Sequence, residues 1–158
     1  MAVRVRNARP VDVEKIAEFA LQLFAQHRGY DPERFADLGS IDGAKWFYGS
    51  RIDAADAAIL IVEDDETPVG YAYLEYEEQN YADLLESVAW LHDIYLADAA
   101  RGMGAGKLLI EAARDAAAKL GAERMVLHVA AKNAVGQQFF ERSGFRTTMF
   151  EMMLKIEA

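Results

Sequence analysis

The fold is decided by residues 88–121, which read VAWLHDIYLADAARGMGAGKLLIEAARDAAAKLG. Residues 88–96 are rich in β-branched and aromatic side chains, which is typical of a strand. After a glycine-rich loop, residues 104–120 repeat apolar side chains at helical spacing. These apolar positions are Leu108, Leu109, Ala112, Ala113, Ala116 and Leu120. Gly121 is a natural C-terminal stop, so the stretch predicts a strand, a loop and an amphipathic helix.

The segments on either side extend this unit into a mixed sheet. Alternation and β-branched residues predict strands over 2–8, 57–63, 68–78, 88–96 and 123–130, with one or two more within 145–156. Helical spacing predicts helices over 11–26, 41–51, 104–120 and 133–142. A right-handed crossover makes strands 88–96 and 123–130 parallel neighbours. We expect one α/β domain over residues 1–158, whose mixed, mostly antiparallel sheet has six or seven strands flanked by about four helices.

Length and composition exclude several classes of protein. The 158 residues carry 17 Lys and Arg against 26 Asp and Glu, and the net charge of −9 has the wrong sign for binding the phosphates of nucleic acid. The absence of Cys excludes disulfides, thiolate zinc sites and a cysteine nucleophile, and no metal site is expected. The longest apolar run, Ala57–Val62, is far shorter than a membrane span, and the N-terminus lacks a signal-peptide core. We expect a cytoplasmic protein without membrane or nucleic-acid partners.

The acidic residues are concentrated in the middle of the chain. No Lys or Arg occurs between Arg51 and Arg101, whereas that stretch contains thirteen Asp and Glu residues. Two interpretations remain open. The acids form a solvated surface that maintains solubility, or they steer a cationic ligand toward this part of the protein.

The loop at the centre of the deciding stretch is Arg101-Gly102-Met103-Gly104-Ala105-Gly106-Lys107. Glycines at alternate positions let the backbone turn tightly and approach a ligand, and the free N–H groups that begin the following helix favour a phosphate or pyrophosphate. The spacing does not match a dinucleotide fingerprint, because Lys107 is the sixth residue counted from Gly102. It does not match a Walker loop either, because Leu108 replaces the required Ser or Thr. The alternative is that the loop only connects the strand to the helix and binds no ligand.

The pattern Arg101-x-x-Gly104-x-Gly106 resembles that of the GCN5-related N-acetyltransferases, the GNAT family. The similarity is continuous over residues 88–146, because residues 90–96 resemble the family's fourth strand and residues 133–145 its late helix and Gly-Phe ending. The segment Arg4–Asp12 is similar to the family's opening strand and turn.

The resemblance implies acetyl-CoA as co-substrate and direct transfer of its acetyl group to an amine. Its pyrophosphate would lie on the N–H groups of residues 102–107, and its pantetheine would run between strands 88–96 and 123–130. In the family, the position of Asn133 contacts the co-substrate near the thiol. The expected contacts are Ile94, Tyr95, Leu96, Arg101, Gly102, Met103, Gly104, Ala105, Gly106, Lys107, Asn133 and Phe140.

Acyl transfer to an amine needs a neutral nitrogen. An alkylammonium with a pKa of about 10.4 is neutral in only about one part in 2,500 at pH 7, a penalty of roughly 4.6 kcal/mol. An imidazole is well suited to remove the proton near neutral pH. His92 lies near the end of strand 88–96, where the similar polyamine acetyltransferases carry a glutamate that acts through water. We predict His92 as the general base; a histidine bonded within the sheet is the alternative.

Two further roles concern the oxyanion and the leaving thiolate. A backbone N–H near Tyr95 or Leu96 is expected to stabilise the oxyanion. In many GNAT relatives a tyrosine of the late helix protonates the thiolate, but Phe140 occupies that position here. The thiolate therefore leaves unaided or through water, or the Tyr95 hydroxyl or another hydroxyl replaces the missing acid.

In similar proteins the acceptor binds near the first helices and the loop between the third and fourth strands, here about residues 79–87. Four acids lie there beside four tyrosines: Glu75, Glu77, Glu78, Asp83, Tyr71, Tyr73, Tyr76 and Tyr81. An acidic, aromatic cleft suits a cationic amine such as a polyamine or an aminoglycoside. We predict Glu75, Glu77 and His92 as substrate-binding residues, although strand alternation equally allows the tyrosines to be core residues.

Other functions remain open at this point. Acetylation of a protein N-terminus or a lysine is the rival within the same class. A catalytically silent acetyl-CoA sensor is favoured by Phe140, and a structural domain without a co-substrate is the third alternative. Dimers are frequent among similar proteins, so the sequence is compatible with a homodimer.

Overall fold

The computed structural model of the chain describes residues 2–157. The helices are α1 (Val13–Tyr30), α2 (Ile41–Arg51), α3 (Ala105–Leu120) and α4 (Ala134–Arg142), and the strands are β1 (Val3–Asn7), β2 (Ala57–Asp64), β3 (Thr67–Asn80), β4 (Leu85–Leu96) and β5 (Arg124–Val126). Short 3₁₀ turns cover Pro10–Asp12 and Asp98–Ala100. All four predicted helices are present, and none found in residues 2–157 has the length and apolar character of a membrane span.

The strands form one sheet in the order β1-β2-β3-β4-β5. The first four are antiparallel neighbours, whereas β5 runs parallel to β4. The predicted parallel pair on either side of α3 is therefore confirmed. Successive side chains of a strand point to opposite faces of the sheet, so each face can carry its own hydrophobic core.

The sheet is smaller than the sequence predicts. Five strands pair within the described residues instead of six or seven, and β5 covers 124–126 instead of 123–130. The prediction of one or two strands within 145–156 is wrong for the single chain, because residues 146–157 form no backbone hydrogen bond with any other described residue. Their apolar alternation is typical of a strand, but a strand also needs an adjacent edge to pair with.

Each face of the sheet has its own hydrophobic core. On one face, α1 and α2 pack against residues that include Ile61, Tyr71 and Tyr95. On the other face, α3 and α4 pack against residues that include Val62 and Leu74. The sheet thus separates a tyrosine-rich side under α1 and α2 from the side on which the helix of the glycine loop lies.

An ion-pair network joins β1 to β2 and to the turn before α1. The Arg6 guanidinium donates to both carboxylate oxygens of Asp12, at 2.8 and 3.0 Å, and its Nε donates to Glu63 at 3.0 Å. Arg4 donates to the other oxygen of Glu63, whose side chain is only 2% exposed. The Arg6 hydrogen bonds hold the pKa of Asp12 below its usual range. Burial opposes ionisation of Glu63, but the bonds from Arg4 and Arg6 lower its pKa overall.

Candidate active site

The glycine loop has the geometry expected of an anion-binding loop. Gly102 and Gly104 have φ values of +82° and +80°, which L side chains rarely adopt. A β-carbon on either glycine would meet no atom within 4 Å beyond its chain neighbours, so this side of the loop is open. Helix α3 begins at Ala105, and the N–H groups of its first turn have no partner within the helix. The loop can therefore offer several N–H groups and a positive helix end to a phosphate.

Gly106 serves a different purpose from the other two glycines. A β-carbon there would lie 3.1 Å from the Phe139 ring and 3.3 Å from the side chain of Leu96. The start of α3 therefore packs closely against α4 and the end of β4. This contact fixes the loop relative to the strand that carries Ile94 and Tyr95.

Strands β4 and β5 pair only over a short distance. Their register runs from Val88↔Arg124 to Trp90↔Val126. Beyond Trp90, β4 has no strand on that side among residues 2–157. The expected co-substrate residues Ile94, Tyr95 and Leu96 lie on this unpaired part of β4, which leaves an open edge where the pantetheine is expected.

An irregularity in β4 sets the positions of the residues beside this edge. Tyr73 is opposite Asp93 and Leu74 is opposite Leu91, so His92 is an extra residue in the ladder. Such a bulge redirects side chains locally. As a result, His92 and Asp93, although adjacent in sequence, both line the same cavity.

The cavity lies between the sheet, α2 and the loop that precedes α2. Its volume is about 520 Å³. Its lining residues are Phe24, Leu38, Gly39, Ser40, Gly43, Ala44, Trp46, Phe47, Tyr48, Tyr73, Glu75, His92 and Asp93. The walls are mainly apolar and aromatic, with two carboxylates and one imidazole, a composition typical of a small-molecule site. The first helices contribute as predicted, whereas residues 79–87 do not line this cavity.

Asp93 is a half-buried carboxylate that forms no salt bridge in the described part of the chain, although His92 and His27 lie close enough to lower its pKa. Its Oδ2 accepts hydrogen bonds from the hydroxyls of Tyr48 and Tyr71, the latter at 2.9 Å. Burial raises the pKa of both tyrosines, and the Asp93 charge raises it further, so both hydroxyls remain protonated donors. Burial also raises the pKa of Asp93, although the tyrosine hydrogen bonds oppose that effect.

The two predicted substrate-binding glutamates have different surroundings. Glu75 lines the cavity, accepts a hydrogen bond from the Tyr73 hydroxyl and lies 3.4 Å from Arg51. Arg51, which also pairs with Asp56 at 2.9 Å, therefore places a positive charge beside Glu75. Glu77 lies two residues farther along β3, opposite Val88, and is not among the lining residues. Its substrate-binding role stays a prediction.

The two predicted catalytic side chains face different environments. The exposed His92 ring stacks on Tyr73 and on Trp90, with ring centroids 5.5 and 6.2 Å apart, and it borders the cavity. The Tyr95 ring is buried against Phe19, and its hydroxyl donates to Gln22. The side chain of Tyr95 is therefore engaged by α1, whereas its backbone lies on the open stretch of β4.

Asn133 and Phe140, which are predicted to contact the co-substrate, both have contacts that stabilise the end of the fold around α4. The Asn133 side chain accepts a hydrogen bond from the Gly136 N–H at 2.9 Å and so caps α4. The buried Phe140 ring contacts Phe139 and Phe145 edge to face. The contacts of Asn133 and Phe140 with the co-substrate stay a prediction.

Sequence reasoning missed Asp93 and Tyr48 as site residues. Asp93 was only one of many acids in the middle of the chain, and Tyr48 lies in a helix far from it in sequence. The signal in the sequence was Asp93 itself, an acid that follows His92 directly and is surrounded along the strand by apolar residues. A carboxylate in such a strand is buried and needs donors, but the sequence does not show which residues supply them.

Comparison with known proteins identifies the family. A family model described as the acetyltransferase (GNAT) family matches residues 19–145. The chain belongs to this family. It is therefore an N-acetyltransferase, as the glycine-loop motif predicts, and the acetyltransferase retains the strand, loop and helix on which that prediction rests.

Relatives support the same assignment, and solved structures share the fold. The acetyltransferase is 27% identical over 143 residues to YhfO of Bacillus subtilis, an uncharacterised N-acetyltransferase, with 90% of this chain and 89% of YhfO covered. It is 25% identical over 145 residues to MJ1207 of Methanocaldococcus jannaschii, covering 90% of this chain but 62% of that protein. Its fold is similar to that of a mutant of BH1408 from Bacillus halodurans, with a TM-score of 0.83, 18% identity, and 97% and 99% coverage. The aminoglycoside N-acetyltransferase AAC(6')-Iy in complex with CoA gives a TM-score of 0.80 at 18% identity, with 99% and 96% coverage.

Proposed function

We propose that this N-acetyltransferase transfers the acetyl group of acetyl-CoA to the primary amine of a small cationic acceptor that binds in the 520 Å³ cavity. The observation that carries the proposal is the half-buried Asp93 carboxylate in that cavity. It accepts hydrogen bonds from two hydroxyls but forms no salt bridge within the described chain. A primary ammonium supplies the missing positive charge.

The co-substrate side of the proposal rests on the glycine loop and the open edge of β4. The N–H groups of residues 102–107 bind the pyrophosphate, and Arg101 and Lys107 flank it with positive charge. The unpaired backbone at Ile94 and Leu96 offers hydrogen bonds to the pantetheine amides. The two features are joined through the contact of Gly106 with Leu96, so the loop and the strand position the thioester together.

The chain's own residues then assist the transfer. His92 removes a proton from the ammonium, directly or through water, so that the neutral amine can attack. A backbone N–H at Tyr95 or Leu96 stabilises the charge that develops on the carbonyl oxygen. The C–N bond forms as the thioester C–S bond breaks, and the products are the acetamide and CoA. The Tyr95 hydroxyl is already bound to Gln22, so water is the better candidate to protonate the thiolate.

The acceptor class follows from the cavity walls. Trp46, Phe47 and Tyr73 present aromatic rings, which attract cations in addition to apolar groups. A solved neighbour, AAC(6')-Iy, has been crystallised with the bisubstrate analog CoA-S-monomethyl-acetylneamine, at 19% identity and a TM-score of 0.79. We propose that this chain also acts on an acceptor of this kind, an aminoglycoside-like or polyamine molecule. The reason is that the cavity combines aromatic walls with Asp93, an acid that forms no salt bridge.

A thermal melt followed by an amine panel tests the proposal. Acetyl-CoA at 100 times its Kd should add about 2.7 kcal/mol, which for this length is roughly 5–10 °C in Tm. Thiol release is then measured with polyamines, aminoglycosides, a lysine peptide and a free N-terminal peptide. Turnover with the small amines supports the proposal. Turnover with peptides alone favours protein acetylation, and stabilisation without any thiol release favours a sensor; either result rejects it.

The Asp93→Asn variant tests the observation that carries the proposal. Asn keeps the shape and an oxygen acceptor for Tyr48 and Tyr71 but removes the charge. We expect KM for the amine to rise about 10–100-fold, as loss of a charged hydrogen bond of roughly 1.5–3 kcal/mol implies, with an unchanged Tm response to acetyl-CoA. The matched control is Glu78→Gln, on the exposed part of β3. If Asp93→Asn and Glu78→Gln have equal KM values for the amine, Asp93 does not bind the acceptor.

A further inference from the structure

Within residues 2–157, no hydrogen bond orients the imidazole of His92. Of the three histidines, only His27 has a ring nitrogen bonded to another described residue, the carbonyl oxygen of Leu23 at 2.8 Å. His92 is also the extra residue of the β4 bulge, so no residue of β3 lies opposite it. A histidine that moves protons is commonly fixed by a hydrogen bond on its second nitrogen. The ring of His92 is therefore held by contacts of another kind.

Two aromatic rings supply these contacts. The ring planes of Trp90 and Tyr73 are inclined by 12° and 26° to the imidazole of His92, with centroids 6.2 and 5.5 Å away. Both geometries are typical of offset-stacked aromatic pairs. Stacking engages the face of the imidazole and leaves its two nitrogens unbonded, at a position that borders the cavity.

Both supporting rings are fixed by the sheet. Trp90 is 7% exposed, and its ladder neighbours are Glu75 on β3 and Val126 on β5. Tyr73 is 2% exposed, and its hydroxyl accepts a hydrogen bond from the Nε of Arg51 at 3.2 Å. A reacting group is held more precisely when the side chains around it are themselves locked by packing. The two rings can therefore fix the position of an otherwise exposed imidazole.

The polar group of Trp90 does not account for a tryptophan at this position. Its indole N–H is buried without a hydrogen-bond acceptor in the described chain, and a buried donor without a partner costs free energy. What the indole provides is a large electron-rich face. The face of Trp attracts cations more strongly than that of Tyr or Phe, and His92 becomes a cation when it accepts the proton of the amine.

We propose that Trp90 is a positioning residue of the acetyl transfer, which together with Tyr73 holds the His92 ring at the cavity and stabilises the imidazolium that forms there. The proposal rests on the proposed function, in which His92 is the base. The acceptor ammonium gives its proton to a ring nitrogen of His92, and the imidazolium then releases a proton to water. Trp90 does not line the cavity, so it acts on the transfer step and not on amine binding.

Two substitutions of Trp90 distinguish stacking from the filling of space. Thiol release is measured with spermidine or kanamycin, whichever is turned over faster. Trp90→Phe keeps an aromatic face and should retain at least about half of kcat. Trp90→Leu removes the face, so kcat should fall about 5–10-fold, with KM unchanged for the amine and for acetyl-CoA.

The matched control is Val88→Ala, at a side chain that is 0% exposed in the same strand. This change loosens β4 without removing an aromatic ring, so Tm should fall while kcat stays at the wild-type value. The proposal is overturned if Trp90→Leu keeps wild-type kcat. It is also overturned if Trp90→Phe or Val88→Ala loses as much kcat as Trp90→Leu.

A double variant shows whether Trp90 acts through His92. In the His92→Gln background, Trp90→Leu should change kcat by less than about 2-fold, because effects that share one partner are not additive. A further loss of about 5–10-fold there would overturn the positioning role and leave the proposed function intact. Wild-type kcat in His92→Gln alone rejects His92 as the base, and no turnover of either amine rejects the proposed function; each result rejects this proposal as well.

Proton NMR tests the stack without any measurement of activity. The Cε1–H signal of His92 is identified by its absence in His92→Gln. The ring current of the indole should give this signal a different chemical shift in the wild type and in Trp90→Leu. The His27 signal is the internal control and should not move, because His27 packs against Tyr30 and Phe35 instead. A His92 signal at the same position in both proteins would overturn the proposal.

Discussion

Asp93 and Glu75 line the same cavity but differ in what compensates their charge. Glu75 accepts a hydrogen bond from Tyr73 and lies 3.4 Å from Arg51. Asp93 has only tyrosine donors, and its burial raises its pKa. A bound ammonium would lower that pKa, because a nearby opposite charge favours the carboxylate. We therefore expect Asp93 to contribute more than Glu75 to the preference for cations.

Replacing His92 tests the general base. His92→Gln keeps a polar side chain of similar length but cannot accept the proton, so kcat should fall about 100-fold or more. The matched control is His128→Gln, because the His128 ring packs against Trp90 at a tilt of 40° but does not line the cavity. If both variants retain wild-type kcat, another group must remove the proton.

Gly104 tests the pyrophosphate site with a pair of isosteric variants. Both Asp and Asn must adopt the φ of +80° found there, and both tolerate it better than most residues. Gly104→Asp places a negative charge where we propose that the pyrophosphate binds, so the Tm increase with acetyl-CoA should be lost. Gly104→Asn introduces the same bulk without the charge and should retain a clearly larger shift. Equal shifts in the two variants would argue against an anion at this loop.

At the scale of elements, the contact between β3 and the end of β4 determines where the site residues lie. Gly70 faces Leu96 in the ladder, and a β-carbon on Gly70 would lie 2.3 Å from the Tyr95 carbonyl oxygen. No real β-carbon approaches a backbone atom so closely, so a larger residue must displace β4. The strand that carries the expected oxyanion donor is thus held close to β3 by the absence of a side chain.

Substituting Gly70 tests this packing. Gly70→Ala should lower the free energy of unfolding by roughly 1–3 kcal/mol, as overpacking does, and should weaken acetyl-CoA binding because β4 shifts. Gly29→Ala is the control, because Gly29 lies in α1 with nothing within 4 Å of an added β-carbon. That change should stabilise by about 0.5–1 kcal/mol. Denaturant unfolding measures the free energy of unfolding of both variants. A Gly70→Ala variant as stable as the wild type would contradict the close approach of β3 and β4.

At the scale of the whole molecule, the Arg6 network links the first strand, the first turn and β2 at one edge of the sheet. The pKa values of Asp12 and Glu63 lie below their ordinary values of 3.8 and 4.5. The folded protein therefore binds these two protons more weakly than the unfolded chain does. The stability they contribute is fully present above about pH 5 and is lost as the pH falls through the lowered pKa values.

The Glu63→Gln variant tests this pH dependence. Breaking a buried pair costs about 3 kcal/mol, so Tm at pH 7 should fall by roughly 6–12 °C for a chain of this length. The decrease of Tm between pH 5 and pH 3 should be smaller than in the wild type. The control Glu111→Gln, exposed on α3, should follow the wild-type curve. A wild-type acid response in Glu63→Gln would exclude Glu63 as a source of acid sensitivity.

The sequence by itself determined the parts of the molecule that depend on local patterns. Apolar periodicity specified α3, glycine spacing specified the loop before it, and their order specified the parallel pair β4 and β5. These features were predictable because backbone conformation over a few residues follows from the side chains of those same residues. The motif that resembles the GNAT family lies within this same continuous stretch, and the family model confirms that resemblance.

Only the tertiary structure decided which distant residues meet. Tyr48 and Tyr71 reach Asp93 from a helix and from another strand, and the bulge at His92 depends on the register with β3. The segment 145–156 has a strand pattern, yet it remains unpaired in the single chain. Hydrogen-bond partners, burial and strand pairing are properties of surfaces brought together by folding. A pattern along the chain indicates what a segment can pair with, but the fold determines whether that partner is present.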